Sequence, residues 1–392
     1  MSGIDIAVVG GGPAGTYAAW SLARAGASVA LFDPSHPREK PCGGGLTGRA
    51  LALLPVPVDR PEICGVAVRA LRFQTGPFDR ARAARVAFEG GETAAPLVVT
   101  SRQALDGALL AAATSAGARL VPERVVGVEV AAHGVSLRTR DRVHAARFVL
   151  GADGVTSLVR RRLLGPFSRA QLSLAVGYYA RGVSSSEVLI HCLADPPGYL
   201  WSFPRSDHLA IGACAPAAPG TRPKLGAAAA AWVRHEGLGP GPAVKGYSWP
   251  IPSLSPRDCA TQRPGGDRWM LLGDAAGLVD PLTREGIYFA LESGRLASAA
   301  LAASRPPGAE YVTRLNDEIF PELRRSASLK GDFFTSRFPD LLVEALARSA
   351  EIRSVMRDLV AGRQPYRSLR RRLLGTLEFG LAARLLLLQW KG

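Results

Sequence analysis

From Ile4 to Val9 every residue except Asp5 is apolar, the pattern of a strand covered on both faces inside a parallel sheet. Residues 14–25 are rich in helix formers, and residues 28–32 return to the strand pattern, so the chain opens as strand, turn, helix, strand. A segment punctuated by proline and glycine then predicts a loop through Thr47. Residues 97–118 predict a short strand followed by a helix with Leu105, Leu109, Ala112 and Ala113 on one face. Residues 147–150 form another buried strand. Between about residues 165 and 250 the apolar stretches shorten to 172–179, 188–192 and 208–214, separated by proline and glycine turns. That spacing predicts an antiparallel sheet able to roof a cavity. Residues 269–272 are again of the buried-strand type, 285–302 form a long helix, and the chain from Tyr311 onward is mostly helical.

Composition narrows the function classes. Hydrophobic residues make up 47% of the 392, enough for a large core, and no uninterrupted apolar run reaches the roughly 18 residues of a spanning helix. The N-terminal apolar run is short and has no Lys or Arg ahead of it, which predicts a buried strand of a cytoplasmic protein rather than a secretion signal. Cys42, Cys64, Cys192, Cys214 and Cys259 are scattered and never in Cys-x-x-Cys spacing, so neither a disulfide framework nor a zinc site is expected. No histidine pair stands at helical spacing beside a carboxylate, and no metal is expected. The net charge of +15 includes only five lysines among 48 basic residues. An arginine-rich codon bias explains this excess as well as an acidic partner does, and no nucleic-acid-binding signature accompanies it.

Chemistry first enters at Gly10-Gly11-Gly12-Pro13-Ala14-Gly15, which satisfies Gly-x-Gly-x-x-Gly after a strand and at the start of a helix. Gly10 allows the tight turn, Gly12 admits a pyrophosphate against the backbone, and Gly15 lets helix and strand pack closely. Amides at the helix N-terminus, from Pro13 and Ala14 onward, face the phosphates. Asp33 lies 18 residues beyond Gly15 at the end of the second strand, where a carboxylate accepts from ribose hydroxyls and disfavours a 2′-phosphate. This motif does not distinguish NAD from FAD.

Two later segments do. Phe148-Val149-Leu150-Gly151-Ala152-Asp153-Gly154, with Ser157 and Arg160, and Leu272-Gly273-Asp274-Ala275-Ala276-Gly277, with Pro281, resemble the internal fingerprints of the para-hydroxybenzoate hydroxylase superfamily. The resemblance implies non-covalent FAD, with Asp274 on the ribityl chain, Arg102 near the phosphates, and Gly273, Asp153 and the segment Pro281, Glu285, Gly286 and Ile287 around the flavin. Within that superfamily, Lys40-Pro41-Cys42-Gly43-Gly44-Gly45-Leu46, Tyr199-Leu200-Trp201-Ser202-Phe203-Pro204 and Asp280-Pro281-Leu282-Thr283-Arg284-Glu285-Gly286-Ile287 resemble the geranylgeranyl reductase family, which reduces isolated double bonds of prenyl chains. Gly277 stands where the hydroxylase branch usually has His, and Arg284 stands where the family commonly has Gly. The resemblance implies an α/β (α+β composite) fold: a Rossmann-type FAD-binding domain in segments 1–60, 97–164 and 263–310, an antiparallel-sheet substrate domain in 61–96 and 165–262, and a C-terminal helical region over 311–392.

Alkene reduction requires a hydride at one carbon and a proton at the other. Gly43, Gly44 and Gly45 let backbone approach the flavin face, and Cys42 either supplies the proton or fills space there. Tyr199, Trp201 and Phe203 alternate onto one face of a strand, where they line an apolar channel for an isoprenoid or form part of a sheet core. The electron donor is NADPH or a ferredoxin. Residues 351–392 hold nine basic residues against three acids, interleaved with Leu373, Leu374, Leu377, Phe379, Leu381, Leu385 and Trp390. Such a helix either lies at an anionic membrane surface, making the protein peripheral at its inner face, or docks on the protein itself. The alternatives to a prenyl reductase are a flavin monooxygenase or halogenase on the same scaffold and a membrane-associated electron-transfer flavoprotein.

Overall fold

A computed structural model describes residues 4–57, 59, 62–88, 97–239, 246–334 and 337–376, the side chain at 332 excepted. The apolar opening strand Ile4–Val9 lies in the middle of an eight-stranded sheet. It pairs in parallel with Val143–Gly151 on one side and Val29–Phe32 on the other, so that Val8 stands between Leu150 and Leu31. Trp269–Leu271 and Arg119–Val121 extend the parallel order outward, and the hairpin Gly127–Ala131/Gly134–Arg138 adds to Val143–Gly151. The helices Pro13–Arg24 and Ile287–Leu301 pack against each other over this sheet. Gly294 is required at their crossing, because a Cβ there would stand 2.9 Å from the Ala14 carbonyl oxygen. The result is an open sheet whose strand carboxyl ends converge on the glycine turn, the usual place for a ligand in a doubly wound fold.

A second, seven-stranded sheet contains Tyr247–Pro252, Leu172–Arg181, His208–Pro216, Gly198–Pro204, Glu187–Leu193, Ala70–Thr75 and Arg82–Ala87, in that order. Its neighbours run antiparallel except Glu187–Leu193 with Ala70–Thr75, which are parallel. This one departure from the expected all-antiparallel sheet arises because Ala70–Thr75 enters from an earlier, distant part of the chain and not through a hairpin.

Two further elements differ from the sequence expectation. Gly45–Thr47, read as loop, is a strand paired with Leu97–Val99; its pairing partner lies about fifty residues away, beyond the reach of local pattern. The helix Thr221–Glu236 interrupts the stretch read as β. Its alanine run carries little amphipathic signal, and it is held by Leu225, Trp232 and Val233, all fully buried against Leu200, Ile211 and Ala213 of the sheet.

That helix covers one face of the second sheet. The other face, turned towards the first sheet, carries Tyr199, Trp201 and Phe203. The C-terminal helices close the structure, and Phe338, Leu342 and Leu346 pack against Leu71, Phe73 and Val86. No helix among the described residues is long and apolar enough to cross a membrane. Leu377, Phe379, Leu381, Arg384, Leu385, Trp390 and Lys391 of the basic, leucine-rich tail lie outside the described residues.

Candidate active site

The glycine turn is built by backbone contact. A Cβ on Gly10, whose φ is 111°, would stand 2.3 Å from the Ala152 carbonyl oxygen, and one on Gly15 would stand 1.9 Å from that of Gly10. Pro13 opens the helix, where its lack of an N–H costs nothing. Gly12 is open by comparison: a Cβ there would meet only the Lys40 ammonium, at 3.5 Å. Asp33 accepts from the Gly11 and His36 amides at 2.7 and 2.9 Å, from the Ser35 amide at 2.8 Å and from His36 Nδ1 at 2.7 Å. Its carboxylate thus braces the turn itself, and these donors hold it well below the usual carboxylate range despite burial. Asp153 is similarly occupied, accepting from the Ser157 hydroxyl and the Leu158 and Val159 amides, and so caps the helix Leu158–Leu163.

Three side chains given no site role by the motifs, Asp106, His36 and Lys40, complete this end of the site. Arg102 forms a bidentate pair with Asp106 at 3.0 and 2.8 Å, one helical turn along, and the His36 ring lies between Asp33 and Asp106. Asp106 was legible as the i+4 partner of Arg102. His36 had no such signal. Arg102 holds the buried Asp106 carboxyl below its usual range. A depressed folded-state value means the stabilisation is complete above the ordinary 3.8 and is lost as pH falls through the folded value. The melting temperatures of wild type and Asp106→Asn should therefore differ most near neutrality and converge in acid, as calorimetry across pH will test.

Lys40 is the third. Burial, reinforced by the nearby Arg102 charge, brings its ammonium down to about 8. Facing these two cations is Asp274, whose carboxylate accepts no hydrogen bond from any described residue. Burial raises its carboxyl above the usual range in spite of Lys40 and Arg102. A half-buried carboxylate without a donor, beside cations crowded together over an open Gly12, is the arrangement a polyhydroxylated, diphosphate-bearing ligand such as FAD would satisfy. Gly273, with φ 52°, packs on Ala14 and Ala290, and Gly286 lies next to the Asp274 carboxylate.

Between the sheets, the segment from Cys42 to Gly45 passes under the ring of Phe203, which would lie 3.0 Å from a Cβ on Gly43 and 3.2 Å from one on Gly45. Gly44 is left-handed, and a Cβ there would stand 2.1 Å from the Thr100 carbonyl oxygen and 2.9 Å from Arg205. Gly44→Ala should cost about 1–3 kcal/mol of stability, whereas Gly43→Ala meets only a ring able to turn; denaturant midpoints distinguish them. The Cys42 sulfur accepts from the Gly44 amide at 3.3 Å, and Arg205, almost fully buried, donates to the Cys42 carbonyl oxygen at 2.9 Å. Nothing local in the sequence marks Arg205 as the anchor of this loop.

The opposite wall is the loop from Asp280 to Gly286. Pro281 is buried, and Ile287 packs with Tyr17, Leu46 and Leu105. Glu285 turns away from the loop to accept from the Thr47 hydroxyl at 2.7 Å and from Arg49, whose guanidinium lies 4.0 Å above the Tyr288 ring. The Tyr199 hydroxyl donates to the Thr283 carbonyl oxygen at 3.0 Å.

Pairing in the second sheet puts small residues between the aromatics. Trp201 stands opposite Gly212, Gly212 opposite Gly177, and Gly177 opposite Tyr247. The parallel row is Tyr199, Cys214, Ala175 and Trp249. On this sheet face glycine, alanine and cysteine seat the aromatic rings: Trp201 lies over Gly212, 2.3 Å from where a Cβ would stand, and the Tyr247 hydroxyl lies 2.6 Å from a Cβ placed on Gly177. The face extends from the segment Lys40–Gly45, where Tyr179 donates to the Lys40 carbonyl oxygen at 2.9 Å, to the loop at Thr283.

Residues 5–152 match a family described as FAD dependent oxidoreductase. The chain is 33% identical over 328 residues to a menaquinone reductase of Mycobacterium tuberculosis, covering 76% of each. It is 31% identical over 320 residues to a geranylgeranyl diphosphate reductase of Rhodobacter capsulatus, covering 76% of this chain and 75% of the relative. A crystal structure of a geranylgeranyl bacteriochlorophyll reductase-like protein from Thermoplasma acidophilum superposes with a TM-score of 0.77 at 23% identity, covering 95% of this chain and 98% of that one. Site geometry, fold and kinship agree, and the chain belongs to the geranylgeranyl reductase family of FAD-dependent oxidoreductases.

Proposed function

We propose that this protein reduces isolated carbon–carbon double bonds of a prenyl chain carried by a lipid, quinone or pigment precursor. The observation that carries this reading is the aromatic sheet face of Tyr179, Tyr199, Trp201, Phe203 and Tyr247, which lies between the Cys42–Gly45 segment and the Asp280–Gly286 loop. A linear apolar chain laid against such a face is buried there, and its burial excludes water from the reacting carbons.

In this reading segments 1–60, 97–164 and 263–310 form the cofactor half, 61–96 and 165–262 the substrate half, and 311–392 the helical closure. Gly10, Gly12, Pro13, Ala14 and Gly15 receive the pyrophosphate, with Arg102 and Lys40 offsetting its charge and Asp33 and Asp153 fixing the turns around it. Asp274 accepts from a ribityl hydroxyl. Gly45, Gly273, Pro281, Glu285, Gly286 and Ile287 shape the space for the ring. When bound, FAD supplies the hydride that the alkene carbon receives. Tyr199, Trp201 and Phe203 align the chain. Gly43 and Gly44 keep the approach free of side chains. Cys42 accepts the Gly44 amide through a sulfur lone pair, which leaves its S–H free to deliver the proton to the second carbon.

A second Gly-x-Gly-x-x-Gly, Gly43 to Gly48, runs through the antiparallel strand Gly45–Thr47 and so does not follow a parallel strand as a nicotinamide-binding turn would, which favours an electron donor that docks transiently, NADPH or a ferredoxin. The exposed Arg367, Arg370 and Arg371 and the half-exposed Leu374 favour peripheral contact with an anionic bilayer through the C-terminal helix and the tail beyond it. Deleting residues 373–392 should move the protein from sedimenting with anionic vesicles to the supernatant, while its flavin content holds. Co-sedimentation measures this.

The reaction is tested by anaerobic incubation of reduced protein with prenyl alcohols and lipids. The expected product is heavier by two hydrogens for each bond saturated. Substrate-dependent uptake of oxygen into product would instead assign the chain to oxygen chemistry, and absence of any saturated product would leave an electron carrier.

A further inference from the structure

The Asp33 carboxylate has more donors than it has places for them. Its Oδ1 accepts from the Ser35 and His36 amides at 2.8 and 2.9 Å and from the Ser35 hydroxyl at 3.3 Å, and its Oδ2 accepts from the Gly11 amide and from His36 Nδ1, both at 2.7 Å. Two carboxylate oxygens offer about four lone-pair sites, and the chain itself takes them all. Burial acts to raise this carboxyl, yet the His36 ring and the Gly11 and Ser35 amides hold it well below the usual range. An acid at the end of the second strand ordinarily keeps an oxygen for the ribose hydroxyls of a bound dinucleotide. This one has none to spare.

His36 is the residue that closes it off. Its side chain is only 4% exposed, and a Cβ on Gly11 would stand 3.2 Å from that of His36, so nothing fits between the histidine and the glycine turn. Because a carboxylate only accepts, Nδ1 carries the hydrogen of its contact with Asp33. The other ring nitrogen, Nε2, is buried without a hydrogen-bond partner and lies 3.4 Å from the Asp106 carboxylate, which grips Arg102 through both oxygens. The ring thus joins the glycine turn to Arg102 through two carboxylates, Asp33 on one side and Asp106 on the other. The same loop meets the helix Arg102–Ser115 twice more: Glu39 accepts from the Arg102 and Gln103 amides at 3.3 and 3.2 Å, and a Cβ on Gly107 would stand 3.5 Å from Pro37.

We propose that His36 is a positioning residue that withdraws Asp33 from ribose recognition and sets Arg102 relative to the glycine turn. FAD is then held through its diphosphate, by Gly12, Arg102 and Lys40, and through its ribityl chain, by Asp274, while the hydroxyls of the adenosine ribose go unread by Asp33. The inference deepens the cofactor placement above and rests on it. It reverses what the motif alone implies. A site built to bond a hydroxyl rejects a ligand that lacks it, because a buried acceptor is left unpaired. Here His36 and the amides already satisfy the acceptor, and a deoxy ligand loses nothing at Asp33.

The test reconstitutes the full-length protein with FAD and with FAD analogues whose adenosine is 2′-deoxyadenosine or 3′-deoxyadenosine, and reads dissociation constants from flavin fluorescence. In wild type the three constants should agree within about twofold, against the tenfold or more expected of a hydroxyl bonded to a carboxylate. His36→Ala takes the Nδ1 donor from Asp33 and the ring from Asp106. Affinity for all three ligands should fall about tenfold, and FAD should now bind several-fold more tightly than at least one deoxy analogue, as the freed oxygen takes up a hydroxyl. His36→Asn, whose amide reproduces the Nδ1 donor without reaching Asp106, should return the ligands to equal affinity while keeping the overall loss. A general weakening of the fold lowers every affinity together, so the ratio between ligands and its return to unity in His36→Asn are what a merely structural histidine would not move. A tenfold preference of the wild type for FAD overturns the proposal, whatever the variants do, and so does a ratio that stays at unity in His36→Ala. Uptake of FAD by the wild type tests the cofactor placement itself, so the two readings fail separately.

Discussion

Asp274→Ala protein should leave purification nearly colourless, with affinity for FAD lowered on the order of a hundredfold. The reason is the asymmetry of its surroundings. The Asp274 carboxylate receives no hydrogen bond from the described residues, and burial raises its carboxyl above the usual range, so in the ligand-free fold its charge is a cost and not a brace. A ribityl hydroxyl gives that carboxylate the donor it lacks. Removing it therefore takes away a charged hydrogen bond made only to the cofactor, and the ligand-free variant should melt no earlier than ligand-free wild type. Asp274→Asn, which keeps an acceptor oxygen without the charge, should fall between the two. Flavin absorbance per protein together with the two ligand-free melting curves checks both halves. Full flavin retention by Asp274→Ala would remove this residue from the cofactor site.

Cys42→Ala should slow prenyl reduction by about a hundredfold or more, the usual contribution of a positioned proton donor, with flavin content and substrate affinity held. The thiol has the placement for this role. It stands where the glycine segment meets Phe203, its carbonyl oxygen is fixed by Arg205, and its sulfur is oriented by the Gly44 amide. Single-turnover oxidation of the reduced flavin by a prenyl substrate isolates the chemical step from donor docking. Cys42→Ser, which restores an O–H of similar reach, should recover part of the rate. A rate unchanged in Cys42→Ala would return the thiol to a packing role, alongside Leu46 and Ala50 of the same apolar cluster.

Sequence read the glycine turn where backbone shape dictates it. Gly10 and Gly15 were legible because a close turn leaves no room for a Cβ, and that requirement is written in the residues themselves. The strand Ile4–Val9 and the helix Ile287–Leu301 were legible for a similar reason, since two-sided burial and long apolar periodicity leave a local pattern. Asp33 and Asp153 were legible as residues of the site, but their partners were not. Both carboxylates turned out to hold their own turns together. The partners of Arg102 and Cys42 illustrate the limit. Asp106 is one helical turn from Arg102 and could be read, whereas Arg205 reaches the Cys42 carbonyl oxygen from a distant strand and could not.

The order of strands and helices in the first sheet and the glycine positions were thus present in the one-dimensional pattern, because each follows from the conformational freedom or burial of neighbouring residues. FAD, by contrast, came from the resemblance of the two internal segments, and the helix Thr221–Glu236 and strand Gly45–Thr47 were not legible. Which charges meet was set by folding. Lys40 over Gly12, Asp274 without a donor, and Arg284 with Lys330 on Ser253 all join segments tens to hundreds of residues apart. So does the seating of the Trp201 and Tyr247 rings on Gly212 and Gly177, which exists only because sheet register aligns those glycines. Electrostatic matching and cross-strand packing act through space over a few ångströms, and chain position carries no record of that distance until the sheets have assembled.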